Sequence, residues 1–220
     1  MADWDREYLK HKQEYLELFD KSMQKDQEQN VEFLEDKLKL YTGRKYVVAC
    51  QSGTDALHFA LRSLNIKKGD EVMTTQFSWI STASCISMVG ATPVFCEIDA
   101  LTYHMSLDSI KKMYSDKVKA IVYPHLFGYM SETKEIIEFC KEKKIAFIED
   151  AAQSLGASLH GVKAGSIGDI STLSFNANKV IAGIAGGGAV CTNDKEQARL
   201  CKRLRKHGEN KILGYNSKML

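Results

Sequence analysis

Four short stretches carry residues whose types and spacing could support chemistry. The first is "SFNANKVIAGIAGGG", residues 174–188, where Lys179 lies between an apolar segment and a run of three glycines. A lysine in apolar surroundings can lose its proton and act as a nucleophile or Schiff-base former. Ser174 lies at the same end of the predicted strand. On its own, a solvated loop lysine is the simpler interpretation.

The second stretch, "ACQSGTDAL" (residues 49–57), predicts a strand, a tight turn and the start of a helix. The free N–H groups of a helix start favour an anion such as phosphate, and Gly53 lets the backbone approach closely. The simpler interpretation is a turn with Thr54 as the helix N-cap. The turn has neither the GxGxxG spacing of a dinucleotide site nor the GK[ST] of a P-loop.

The other two stretches contribute an aromatic ring and a carboxylate. Trp79 follows a predicted strand, where it could stack on a flat ring or belong to the core. In "IAFIEDAAQSLGA", Glu149 and Asp150 end a buried strand. A carboxylate there could pair with a protonated ring nitrogen or hold a metal, and Gln153 could hydrogen-bond the same ligand. A surface acidic pair is the alternative, but the flanking residues are apolar.

The order of these features along the chain predicts a pyridoxal phosphate site. The phosphate needs N–H and hydroxyl donors, and the ring needs a flat partner. The pyridine nitrogen needs a carboxylate to stay protonated, because opposite charge favours the charged form. The protonated ring is then the electron sink, and a lysine carries the cofactor.

Alternating strands and helices must position these residues. Residues 1–40 have an amphipathic helical pattern, and Gly43 is the expected C-cap. Strands are then expected at 45–50, 71–75, 92–99, 118–126, 145–150, 170–175 and 187–192, and helices at 54–65, 80–90, 106–115, 132–144 and 194–208. This alternation predicts a three-layer α/β domain whose sheet is mostly parallel, with ligands at the carboxyl ends of the strands. The expected division is an N-terminal helical segment, 1–30, and a cofactor-binding large domain, 31–220.

The composition excludes several classes of partner. Apolar residues make up 44% and charged residues 26%, and the formal net charge is +2. Such a balance gives no basic surface for nucleic acid or an anionic membrane, and no apolar run could span a bilayer. The N-terminal stretch resembles neither a secretory signal nor a transit peptide. Six cysteines without metal-binding or disulfide spacing predict reduced thiols, no metal site and a cytoplasmic location.

The chain resembles the DegT-like sugar aminotransferases, a branch of the fold-type I pyridoxal phosphate enzymes related to aspartate aminotransferase. The resemblance runs from about residue 30 to the end. The matching stretches are "SGTDALHFAL", "GDEVMTTQFSWISTASCISMVGATPVFCEID", "YPHLFGYM", "IEDAAQSLGA", "GSIGDISTLSFNANK", "GGGAVCTND" and "KHGENKILGYNSKM".

The resemblance implies a role for each matching residue. Lys179 would bind the cofactor covalently and shuttle protons, and Asp150 would pair with the pyridine nitrogen. Gln153 would contact the ring hydroxyl, and Trp79 would stack on the ring. The phosphate cradle would comprise Gly53, Thr54, the backbone of Asp55, and Ser174. Asn216 would reach the phosphate of a partner subunit, which implies an obligate homodimer with shared sites.

The resemblance also implies a reaction. Glutamate would give its amino group to the cofactor, which would then aminate C4 or C3 of a nucleotide-linked keto-6-deoxy sugar. His125 would lie near the substrate side, although a structural histidine is an equal interpretation.

The chain departs from the family pattern in three ways. Ala185 stands where the family commonly has the glutamate of a G-E-G-G turn, which points to altered turn chemistry or substrate contacts. The N-terminal segment is shorter than usual. The chain ends at "NSKML", so we expect a fragment or abbreviated chain that lacks the small C-terminal domain and part of the substrate pocket.

Three alternatives to this function stay open. A sugar dehydratase of the same family would carry histidine in place of Lys179. A non-catalytic binding or regulatory protein would have little reason to keep Lys179, Asp150, Gln153 and Ser174 together. An amino-acid aminotransferase would need an arginine for the substrate carboxylate, often in the C-terminal part.

Overall fold

The computed structural model of the protein describes residues 4–183, 185–210 and 214–215. Within these ranges the helices are α1 (Trp4–Met23), α2 (Gln27–Thr42), α3 (Gly53–Ser63), α4 (Ile80–Met88), α5 (Leu107–Met113), α6 (Lys134–Lys143) and α7 (Lys195–Arg205). The strands are β1 (Tyr46–Cys50), β2 (Glu71–Thr75), β3 (Thr92–Cys96), β4 (Val118–Pro124), β5 (Ala146–Asp150), β6 (Ser158–Leu159), β7 (Val162–Lys163), β8 (Ile170–Ser174), β9 (Gly188–Thr192), β10 (Glu209–Asn210) and β11 (Gly214–Tyr215).

Seven strands form one sheet in the order β1-β9-β8-β5-β4-β2-β3. The strands from β8 to β3 pair in parallel, and β9 runs antiparallel to both of its neighbours, β1 and β8. The prediction of a mostly parallel mixed sheet is therefore confirmed. Because β1 points the same way as β8, the carboxyl ends of β1, β8, β5 and β4 meet at one edge of the sheet.

Helices cover both faces of the sheet. Successive side chains of a strand point to opposite faces, so each face of a parallel sheet needs its own apolar cover. On one face, Val48 and Ile148 pack with apolar residues of α3, α4 and α7. On the other, Met73 and Phe147 pack with residues of α5 and α6, and Val47 packs with α2. This arrangement confirms the three-layer αβα architecture.

The N-terminal region differs from the single amphipathic stretch that the pattern suggested. Asp26 interrupts the helix and caps α2, because its side chain accepts a hydrogen bond from the Gln29 N–H. Gly43 ends α2 in the left-handed region at φ 71°, as predicted. The division into a segment 1–30 and a domain 31–220 stays a prediction.

Two short hairpins, β6-β7 and β10-β11, were not predicted. Each strand has two residues, which is too short for an alternating pattern to show in the sequence.

All six cysteines are free thiols, and Cys50 is the only one of them that is not buried. Among the described residues, no helix has both the length and the apolar character that a membrane span requires.

Candidate active site

A cavity of about 400 Å³ opens at the carboxyl edge of the sheet. Seven of the nine predicted site residues line it, namely Gly53, Thr54, Trp79, Asp150, Gln153, Ser174 and Lys179. Asp55 lies one residue further along α3 and does not line the cavity, and Asn216 lies outside the described residues. The fold therefore brings together residues that are up to 126 positions apart in the chain, from Gly53 to Lys179.

The start of α3 forms one wall of the cavity. Ser52, not Thr54, is the N-cap, since its Oγ accepts a hydrogen bond of 3.0 Å from the Asp55 N–H. The expected Thr54 cap is wrong because the helix begins one residue earlier, at Gly53. The Thr54 hydroxyl instead bonds Ser81 Oγ at 2.8 Å. This contact ties the turn to α4.

Gly53 and Ser174 meet where β8 ends. A Cβ atom added to Gly53 would lie 2.7 Å from Ser174 Cβ, which is closer than real Cβ contacts. Only glycine therefore lets the backbone of this turn lie against the end of the strand. The turn N–H groups, the dipole of α3 and the Ser174 hydroxyl form a donor set that suits an anion.

Asp150 ends β5 and is buried at the cavity. Its Oδ2 accepts a hydrogen bond from Thr82 Oγ1 at 3.1 Å, and its Oδ1 accepts one from the Ala152 N–H at 3.2 Å. Burial raises the pKa of Asp150, and the two hydrogen bonds and the charge of Lys179 oppose that rise. A buried carboxylate of this kind gains most from a cationic partner, because the partner compensates for its lost hydration.

Lys179 lies five residues beyond the end of β8 and is half-buried at the cavity. Its backbone N–H donates to the Asn176 carbonyl at 2.9 Å, which folds the loop into a turn. Its positive charge acts on Asp150 and opposes part of the rise in pKa that burial causes in that carboxyl. Lys179 and Asp150, the amine and the carboxylate that the sequence predicted for the site, thus line the same cavity.

Trp79 is 69% exposed, so the interpretation of this residue as a core tryptophan is wrong. It stands at the N-terminus of α4 and lines the cavity with its ring accessible. Gln153 lines the same cavity, and its Oε1 accepts a hydrogen bond of 3.2 Å from the Phe127 N–H.

Glu149 is fully buried and belongs to a second polar cluster. Its two carboxylate oxygens accept hydrogen bonds from the Gly165 N–H at 2.9 Å and the Ile167 N–H at 3.0 Å. Burial raises its pKa to about 7, although those bonds and Arg44 lower it. The alternative of a surface acidic pair is wrong for both carboxylates.

Sequence reasoning missed two of the polar residues at this site. Thr82 bonds Asp150 and also Ser78 Oγ, at 2.9 Å. Ser81 bonds Thr54. Ser78 lies two positions before the first residue of α4 and Thr82 lies in its first turn, and the short spacing of these two hydroxyl residues was a local signal for their contact. The partners Asp150 and Thr54 come from β5 and α3, and no local pattern indicates that.

His125 lines the cavity and is fully buried. Neither ring nitrogen has a hydrogen-bond partner within the described part of the chain, and Nε2 lies 3.7 Å from Glu149 Oε1. Burial, aided by the nearby His104, lowers the pKa of His125 to about 3. The imidazole is therefore neutral near pH 7.

Residues 7–220 match the sequence profile of the DegT/DnrJ/EryC1/StrS aminotransferase family. The chain belongs to this family. The match confirms the resemblance that the motifs around Asp150 and Lys179 suggested.

Three curated relatives illustrate the range within the family. The chain is 34% identical to a pleiotropic regulatory protein of Geobacillus stearothermophilus, over 100% of the chain and 61% of that protein. It is 39% identical to a UDP-N-acetyl-3-dehydro-alpha-D-glucosamine 3-aminotransferase of Acidithiobacillus ferrooxidans, over 84% of the chain and 52% of the enzyme. It is 35% identical to a dTDP-4-dehydro-2,3,6-trideoxy-D-glucose 4-aminotransferase of Saccharopolyspora spinosa, over 78% of the chain and 44% of the enzyme.

Solved structures show the same fold. The S. venezuelae protein DesV, solved with a ketimine intermediate, superposes with a TM-score of 0.91 at 27% identity, over 98% of this chain and 59% of DesV. NtdA from Bacillus subtilis, solved with its cofactor PMP, superposes with a TM-score of 0.77 at 31% identity, over 84% of this chain and 42% of NtdA. The chain spans about half the length of the curated relatives it matches.

Proposed function

We propose that the chain binds pyridoxal 5'-phosphate and transfers an amino group from glutamate to a nucleotide-linked keto-6-deoxy sugar. The observation that carries this proposal is the placement of Lys179 and Asp150 at one cavity at the carboxyl edge of the sheet. An amine and a buried carboxylate are the two groups that this cofactor requires of its protein. The similarity to aminotransferases for UDP-linked and dTDP-linked sugars supports the substrate class.

The residues at the cavity fit the cofactor. The turn at Gly53 and the Ser174 hydroxyl would hold its phosphate, and Gly53 has no Cβ to fill the cradle. The exposed Trp79 ring would stack on the pyridine ring, and Gln153 would meet its hydroxyl group. Buried Asp150 would pair with the protonated ring nitrogen, a cation that would compensate for the burial of this carboxylate. The backbone of Asp55 and the side chain of Asn216 complete the proposed set.

Each side chain then has a task in the reaction. The bound cofactor supplies an electron sink for the carbon that gains or loses the amino group. Lys179 Nζ accepts the proton from that carbon and returns it, as a general base and then a general acid. Asp150 keeps its negative charge in a buried site, where its electrostatic effect is large, and Thr82 fixes its orientation.

The partners follow from the same proposal. Glutamate and the sugar would use one cavity in turn, and a second copy of the chain would contribute Asn216 to the phosphate site. Similarity to both a 3-aminotransferase and a 4-aminotransferase leaves C3 and C4 as candidate positions. The free thiols suit a cytoplasmic, reducing setting.

The visible absorption spectrum of the protein tests this function. The protein purified with pyridoxal phosphate should be yellow and should bleach when glutamate is added. Lys179→Ala should fold but neither hold the cofactor covalently nor bleach, whereas Lys119→Ala, which changes an exposed lysine of β4, should behave as the parent protein. Bleaching by Lys179→Ala at the parent rate would contradict the assignment.

A regulatory or binding protein with the same fold is the second candidate, favoured by the similarity to the Geobacillus regulatory protein. A protein that stays colourless with added pyridoxal phosphate would support it. The dehydratase alternative has no support at this cavity, since an amine and not an imidazole occupies position 179.

A further inference from the structure

Three aromatic rings stand together in solvent at the rim of the cavity. Phe77, Tyr103 and Phe127 are 42%, 48% and 71% exposed. The Phe77 ring stacks on Tyr103 with centroids 5.6 Å apart and meets Phe127 edge-on at 6.1 Å. We call these three residues the aromatic platform. An exposed cluster of apolar rings of this kind is typical of surfaces that bind a ligand or a partner.

The backbone holds two of these rings in unfavourable conformations. Tyr103 has φ 60° and Phe127 has φ 59°, values that bulky L-residues rarely adopt. The loop of Tyr103 is nevertheless well built, since Asp99 Oδ1 accepts hydrogen bonds from the Leu101 and Thr102 N–H groups. Strain that ordered structure maintains in this way is typical of ligand-binding positions.

The aromatic platform is continuous with the cavity. The Phe127 N–H donates to Gln153 Oε1, and Gln153 lines the cavity. Phe77 directly precedes Ser78 and Trp79, which also line it. A molecule whose reacting carbon lies near Lys179 can therefore extend out of the cavity mouth onto these rings.

We propose that the aromatic platform stacks the nucleobase of the nucleotide-linked substrate. This inference rests on the proposed function, and it assigns the nucleotide end of the substrate to named residues. The sugar must enter the cavity for its keto carbon to react, so the nucleotide remains at the mouth. Flat apolar rings bind any base through its π-face. The platform therefore anchors the nucleotide without choosing between bases.

Calorimetric titration of the full chain, loaded with pyridoxal phosphate, with UDP and separately with GDP tests this inference. Phe127→Asn removes the ring but suits the left-handed backbone, and Phe127→Leu keeps an apolar side chain without a π-face. Both variants should bind UDP and GDP about tenfold more weakly than the parent. Phe19→Ala, which removes a 56% exposed ring from α1, is the matched control and should bind as the parent does.

The melting temperature separates a binding role from a packing role. Phe127→Asn should melt no lower than the parent, because asparagine tolerates a positive φ. A lower melting temperature with unchanged nucleotide affinity would show that the ring serves packing and would overturn the inference. Failure of the parent to bind either nucleotide would overturn it as well.

The glutamate reaction keeps the two proposals distinguishable. A parent protein that bleaches with glutamate but binds neither nucleotide would refute the platform and leave the aminotransferase function standing. A parent that does not bleach, but binds UDP and loses this binding in Phe127→Asn, would refute the aminotransferase function and support the platform.

Discussion

Asp150 and Glu149 are neighbours on β5, and both are buried, yet they face different surroundings. Asp150 faces the cavity, where a hydroxyl and one backbone N–H bond it. Glu149 points to the other side of the strand, where two backbone N–H groups and Arg44 compensate for its burial. The partners of Glu149 thus all come from the folded chain, whereas Asp150 also faces a cavity where a bound ligand can contact it.

Successive side chains of a strand point to opposite faces of the sheet. Two neighbouring carboxylates can therefore have different roles, one structural and one functional. Glu149 organises the loop that follows β7 through the Gly165 and Ile167 N–H groups. Among the residues that the structure describes, no basic side chain hydrogen-bonds Asp150, and the positive charge that acts on it is that of Lys179. We therefore expect substitutions at Asp150 to affect activity, and substitutions at Glu149 to affect stability.

Asp150→Asn should give the largest effect on catalysis. The amide cannot keep the ring nitrogen protonated, so amino transfer should fall about 10²- to 10³-fold, as when one preorganised electrostatic group is lost. The free energy of unfolding should stay near the parent value, since the variant removes the desolvation cost of a buried charge. Stopped-flow measurement of cofactor bleaching by glutamate, with urea unfolding alongside, checks both. A rate near that of the parent would show that a residue other than Asp150 pairs with the pyridine nitrogen.

Glu149→Gln should give the opposite result. One of the two backbone N–H donors would face an amide NH2 group, so the fold should lose about 1–3 kcal/mol. The rate per cofactor-loaded molecule should change little, because Glu149 does not line the cavity. Urea unfolding and bleaching kinetics on the same preparation measure the two effects. A large loss of rate without a loss of stability would contradict the comparison.

The pH dependence of the free energy of unfolding tests whether Glu149 is a structural carboxyl group. Burial raises its pKa to about 7, so the folded state retains a proton that the unfolded carboxyl releases, and stability falls as pH rises from about 4.5 to 7. Burial lowers the pKa of His125 to about 3, so its contribution has the opposite sign and rises with pH up to about 6.5.

Glu149→Gln removes the Glu149 contribution and leaves the contributions of the other groups, His125 among them, in place. The stability deficit of this variant relative to the parent should therefore shrink as pH rises from about 5 to 6.5. Urea unfolding of both proteins across this range measures the deficit. A deficit that does not change with pH would show that Glu149 has the same pKa in the folded and unfolded states.

Thr82→Val should have the smallest effect. Loss of the hydroxyl that donates to Asp150 Oδ2 should raise the pKa of Asp150 further and slow amino transfer about fivefold, the value of one hydrogen bond. The acid limb of the pH–rate profile should move to higher pH. Thr74→Val is the matched control, since the buried Thr74 hydroxyl has no hydrogen-bond partner among the described residues, and its rate should equal that of the parent. Equal rates for both variants would mean that Thr82 does not tune Asp150.

The sequence alone predicted much of the fold, because each element carried its own signal. Gly43 ends α2 as predicted, and the helix expected at 194–208 is α7, Lys195–Arg205. The strand expected at 118–126 is β4, and six of its seven residues are buried, as in a strand with cover on both faces. Where signals were short or competed, prediction failed. The sequence predicts Thr54 as the cap of α3, whereas Ser52 caps it, and serine and threonine are both common N-cap residues.

For the site, the sequence determined which residue types follow which strands. Since parallel strands present their carboxyl ends at one edge, the order of Gly53, Asp150 and Lys179 was enough to predict a shared cavity. The family resemblance supplied their proposed roles, which remain predictions, and Asn216 lies outside the described residues.

Tertiary structure alone decided which side chains from distant parts of the chain contact each other. Thr82 hydrogen-bonds Asp150, which lies 68 positions further along the chain. The rings of Phe77, Tyr103 and Phe127 lie on three different loops, and the Phe77 ring contacts the other two. Tertiary structure also decided that Glu149 is held internally while its neighbour faces the cavity. The physical reason is that burial and hydrogen bonding depend on the packing of distant segments, whereas a local pattern records only periodicity, caps and turns.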